Sequence, residues 1–154
     1  MQLTVGGLPA HPLLVHAVVV LIPLAALGAV AVAIRPRWNR AYAPLVAFGA
    51  IGAALLATVA KAAGEQLAAT LSIPPEMIAQ ISEHGRYGLY TVVASWIFAA
   101  LALATAIFGR GRTQSGLSRA TGAISALGGL AALVLVVLAG HTGTASVWGY
   151  LIGR

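Results

Sequence analysis

The fold follows from residues 11–34, which read HPLLVHAVVVLIPLAALGAVAVAI, and from RPRWNR at residues 35–40 directly after them. A helix needs about 20 predominantly apolar residues to cross the hydrocarbon core of a bilayer. The first stretch has that length, and the arginines after it favour the cytoplasmic side. No basic residue precedes it, as one does in a secretory signal peptide, so the sequence predicts a retained transmembrane helix with its N-terminus outside.

Three further apolar stretches follow along the chain. The predicted helices span residues 11–34, 41–69, 86–108 and 120–140. The first and third gaps hold six of the nine basic residues and no acid, whereas the second gap holds Glu76 and Glu83. The positive-inside rule therefore places both basic gaps in the cytoplasm. The predicted fold is all-α: one domain, a four-helix transmembrane bundle of the cell membrane with its N-terminus and C-terminus outside.

Composition excludes several classes of protein. Sixty per cent of the residues are apolar and 8% are charged, against about 25% charged residues in a typical soluble domain. The net charge of +6 comes from arginines that flank apolar spans, so membrane lipid is an expected partner and nucleic acid is not. The absence of cysteine excludes disulfides, thiolate metal sites, iron–sulfur clusters and covalently attached c-type haem.

Small residues recur at every fourth position on two of the predicted helices. These rows are Gly49, Ala53 and Ala57 on the second helix and Ser118, Gly122 and Ala126 on the fourth. Such rows let helices approach closely in lipid. They predict packing faces inside the bundle.

The four histidines fall at one end of the predicted bundle. His11 and His16 open the first helix, His84 opens the third, and His141 follows the fourth, so the predicted topology places all four near the outer face. At about 1.5 Å of rise per residue, His16 lies roughly 7–8 Å deeper than His11. Ionisable residues at that depth are rare and usually face the bundle interior. The alternative, an ordinary interfacial histidine, suits His11 best.

Few other ionisable side chains belong to this end. Glu65 lies near the outer end of the second helix, and Lys61, four residues before it, is on the same helical face and could pair with it. Glu65 is equally a candidate partner for a histidine. Arg86 could hold an anionic group such as a haem propionate, or it could reach lipid headgroups.

Two short motifs carry a resemblance to a known family. Residues 7–16 read GLPAHPLLVH and residues 140–143 read GHTG. The first is similar to the His-Pro-x-x-Val-His start of the small membrane proteins grouped as domain of unknown function 2231, and the second resembles their Gly-His-x-Gly element. His84 matches a position where the family tends to have histidine. The chain departs at residues 17–18, where members commonly have Phe-Pro, and at Thr144, which replaces a glycine.

The family is more loosely similar to four-helix membrane cytochromes of the b type, which hold haem between histidines of facing helices. That resemblance implies a haem b site with His16, His84 and His141 as candidate ligands, and His16 with His84 or with His141 as the favoured pair. His11 and Arg86 are further candidate contacts of the cofactor. Such a protein would transfer electrons, as an oxidoreductase component, between membrane quinone and an outer-side redox protein.

Two other functions stay open from the residues themselves. The imidazoles of His16, His84 and His141, with Glu65 or Glu83, would suit a zinc, copper or iron ion. Alternatively, the chain is a structural accessory subunit of a larger membrane complex, and its histidines are merely interfacial. A homo-oligomer is a further expectation.

Overall fold

The helices form a bundle in which each one packs against two neighbours. The computed structural model describes residues 3–109 and 116–151, the last two by their backbone alone. The helices are α1 (Ala10–Ile34), α2 (Asn39–Thr70), α3 (Pro75–Phe108) and α4 (Gly116–Leu151). The packed pairs are α1–α2, α2–α3, α3–α4 and α4–α1, so α1 lies diagonally opposite α3.

The predicted all-α architecture is confirmed. Within the described ranges, four helices are long and apolar enough to cross a membrane. The orientation with both termini outside stays a prediction, and two of the arginines on which it depends, Arg110 and Arg112, lie outside the described residues.

Two short elements flank the first helix. An antiparallel hairpin of β1 (Thr4–Val5) and β2 (Leu8–Pro9) precedes α1, and the two glycines of its turn have φ angles of 59° and 82°, a conformation that glycine adopts without strain. The N–H of Leu3 donates to Gln66 Oε1 at 2.9 Å, which tethers the hairpin to α2. A 3-10 turn at Pro36–Trp38 joins α1 to α2.

Two helices are longer than the sequence predicts. α3 begins at Pro75 instead of residue 86, and α4 continues to Leu151 instead of ending near residue 140. Proline suits the first helical position because it has no N–H to lose there, and Glu76 in the first turn complements the helix dipole. His84 and His141 therefore lie within their helices, away from the ends.

The core consists mainly of alanine, with Ile22 and Phe98 as its largest fully buried side chains. The predicted small-residue faces are confirmed on both helices: Ala53 of α2 and Ala126 of α4 are buried. Because alanine projects only a methyl group, the helix backbones approach closely along these faces.

Gly129 of α4 is where the packing is tightest around Phe98. A Cβ at this position would lie 3.0 Å from the Phe98 ring and 3.1 Å from Ala26 Cα. We expect Gly129→Val to lower the free energy of unfolding by about 1–3 kcal/mol through overpacking, measured by thermal unfolding in detergent. The same substitution at Gly52, where a Cβ meets nothing within 4 Å, should have a much smaller effect. Equal losses at the two positions would contradict this packing.

Candidate functional site

His11 and His84 meet at the histidine end of the bundle, where α1 and α3 begin and α2 and α4 end. Their ring centroids are 6.1 Å apart and the ring planes are inclined at 78°. Both side chains are half-buried. Because they come from diagonally opposite helices, the two imidazoles meet across the bundle. We call them the histidine pair.

A backbone carbonyl of an adjacent helix holds each imidazole of the pair. His11 Nδ1 lies 2.7 Å from the carbonyl oxygen of Ala60 in α2, and His84 Nδ1 lies 2.9 Å from that of Ala139 in α4. A carbonyl oxygen can only accept, so Nδ1 is the protonated donor in both rings, and Nε2 carries the lone pair in the neutral form. Such a bond commonly fixes the tautomer and orientation of a metal-binding histidine.

Each imidazole also lies against a glycine of the helix that holds it. A Cβ at Gly64 in α2 would come within 2.8 Å of the His11 ring, and a Cβ at Gly143 in α4 would come within 2.9 Å of the His84 ring. In both helices the glycine follows the bonding carbonyl by one helical turn. The two halves of the bundle, α1–α2 and α3–α4, therefore hold their histidines in the same way.

An ion pair lies beside the histidine pair. Lys61 forms a salt bridge to Glu65, one turn further along α2, as the sequence predicts. The methylene groups of Lys61 contact α3 at Gly88, where an added Cβ would lie 3.4 Å from Lys61 Cδ. Gly88 follows His84 by one turn. Lys61 therefore packs on α3 one helical turn from His84.

The other predicted site residues are exposed on the surface of the bundle. His16 is exposed on α1, and its Nδ1–H donates to the carbonyl of Pro12 in the same helix. This differs from the expectation that His16 faces the bundle interior. His141 is also exposed. Arg86 is exposed on α3, with its guanidinium 3.9 Å from the Glu83 carboxylate.

The ligand set predicted for a bare metal ion is not assembled. Among residues 3–109 and 116–151, no group of three or more histidine, aspartate or glutamate side chains is placed to hold an ion. The sequence favoured His16 over His11. Residues five apart lie about 140° apart around a helix, so the spacing indicates that only one of the two can face the interior, without indicating which.

A model of a family described as a predicted membrane protein, DUF2231, matches residues 7–154. The chain belongs to the DUF2231 family. The match begins just before His11 and includes the whole histidine pair, the two glycines against it and the Lys61–Glu65 salt bridge. Comparisons of this DUF2231 protein with curated proteins and with solved structures gave no match.

Proposed function

We propose that this DUF2231 protein is a membrane cytochrome of the b type in which His11 and His84 ligate one haem iron. The carrying observation is that the two imidazoles lie together and both donate through Nδ1 to helix carbonyls, which leaves the Nε2 lone pair of each neutral ring available to a metal. With their ring centroids 6.1 Å apart, the two imidazoles would be near enough to hold one metal ion together.

The number of ligands favours haem over a bare ion. Zinc takes three or four protein ligands. The described part of the chain brings together fewer than three histidine, aspartate or glutamate side chains at any one place. Haem brings four nitrogen donors of its own and needs only axial ligands from the protein. Two histidines therefore complete a haem site and leave a zinc site incomplete. A copper ion between two imidazoles is the alternative that the same pair allows.

The residues of the chain would orient and enclose the cofactor. The carbonyls of Ala60 and Ala139 fix both imidazoles and make them stronger ligands. Gly64 and Gly143 leave room for the rings, and half-burial limits the access of water. When bound, haem with two histidine ligands supplies one-electron transfer and has no open position for oxygen.

The distribution of charge supports an outer location for the site. The described arginines at the opposite end are Arg35, Arg37, Arg40 and Arg119, all exposed. The three acids, Glu65, Glu76 and Glu83, lie at the histidine end. Under the positive-inside rule, the histidine end faces outward in the cell membrane. Electrons would then pass between membrane quinone and an outer-side redox protein.

An absorption spectrum tests the proposal. Protein purified in mild detergent from cells supplied with haem is expected to show a Soret band, and split visible bands after reduction with dithionite, because two axial histidines give a low-spin haem. Elemental analysis of the same sample measures iron and copper. Copper without haem would favour the copper site. Protein that contains neither haem nor copper would leave the structural accessory subunit as the remaining hypothesis.

A further inference from the structure

The Lys61–Glu65 salt bridge is placed to act on the histidine pair. Of the charged residues in ranges 3–109 and 116–151, Lys61 is the one whose side chain is not exposed; its exposed fraction is 22%, against 67% for Glu65. Lysine near a membrane surface ordinarily extends its ammonium into water. Here the side chain of Lys61 instead packs on Gly88, one turn from His84.

We propose that Lys61 and Glu65 form a compensated charge pair that sets the redox potential of the haem site. This inference rests on the proposed function. Reduction adds one negative charge, which a nearby cation stabilises and a nearby anion destabilises. In a partly buried site these Coulomb energies are several times larger than in water. Because Glu65 is much more exposed than Lys61, its charge offsets only part of the field of Lys61, and removing either residue changes this balance.

Single substitutions should therefore shift the potential in opposite directions. Glu65→Gln leaves the cation and raises the midpoint potential, whereas Lys61→Met leaves the anion and lowers it. We expect Lys61→Met to change the ratio of reduced to oxidised protein about tenfold at a fixed ambient potential, which is about 59 mV for a one-electron couple. Glu65 is 67% exposed, so Glu65→Gln should shift the potential by less, in the opposite direction. The double variant should lie between the two single variants, and Lys61→Arg should stay near the wild type. Spectroelectrochemical titration of the haem-loaded protein gives all four values.

An exposed ion pair on the same end provides the control. Glu83→Gln and Arg86→Gln remove members of a looser pair, 3.9 Å apart, in which both side chains are exposed. Each should therefore move the potential much less than Lys61→Met, which removes the charge of a side chain that is only 22% exposed. If Lys61→Met fails to fold, Glu65→Gln alone decides, because its expected shift is upward.

The possible failures can be told apart by measuring haem content first. Wild-type protein without haem would overturn the proposed function and this inference together. Haem-loaded variants with lower thermal stability and unshifted potentials would show an ordinary structural ion pair. Shifts of both single variants in one direction would also overturn the inference. In both cases the cytochrome proposal would stand.

Discussion

His84→Ala should abolish haem binding, and His11→Ala should do the same, whereas His16→Ala and His141→Ala should keep haem at nearly the wild-type ratio. Losing one of two axial ligands removes a bond to the iron. The affinity should therefore fall by more than the roughly 10–100-fold that loss of a ligand-orienting partner costs. His16 and His141 are exposed and are not members of the histidine pair, so their removal should leave both proposed ligands in place.

The haem-to-protein ratio after purification measures this difference. Circular dichroism and size exclusion of each apoprotein check that the bundle still folds, since His84→Ala also removes the hydrogen bond to Ala139. If His16→Ala lost haem and His11→Ala kept it, the ligands would instead be His16 with His84 or His141, as the sequence favoured. Retention in all four variants would show that the histidines do not bind the haem.

The fold was predictable because membrane insertion imposes a local condition on the sequence. Each span needs its own apolar run, and residues 11–34 and 120–140 meet that condition without reference to the rest of the chain. Hydropathy marks only the part of a helix that lies in hydrocarbon. The polar turns at the start of α3 and the end of α4 continue their helices beyond it, so their lengths were underestimated.

The site was predictable only in part. The sequence placed His11 and His84 at the same end of the bundle, where the structure brings their rings together, and it allowed the Lys61–Glu65 salt bridge, because both depend on position along a helix. It ranked His16 above His11 by depth, while rotation about the helix axis decides which residue faces inward. The carbonyls of Ala60 and Ala139 carry no signal in sequence, because every residue has a carbonyl and only tertiary packing selects these two.

Gly143→Ala should weaken haem binding about 10–100-fold, the usual effect of losing a group that orients a metal ligand. The new Cβ would lie 2.9 Å from the His84 ring and 3.0 Å from its Nδ1, so the ring must move, and we expect this shift to disturb its bond to Ala139. Gly140→Ala, in the same helix, is the matched control, because a Cβ there meets nothing within 4 Å.

Haem titration of both apoproteins and thermal unfolding together separate a local effect on His84 from a general loss of stability. Alanine is favoured over glycine in a helix by about 0.5–1 kcal/mol, so Gly140→Ala should be as stable as the wild type or slightly more stable, with unchanged haem affinity. Gly64→Ala should resemble Gly143→Ala, because its Cβ would lie 2.8 Å from the His11 ring. Equal haem affinities in Gly140→Ala and Gly143→Ala would contradict a role for the glycine contact in orienting the ligand. A weaker haem affinity in Gly64→Ala and Gly143→Ala, with no change in Gly140→Ala, would indicate that both halves of the bundle position their histidines in the same way, through a carbonyl and a glycine.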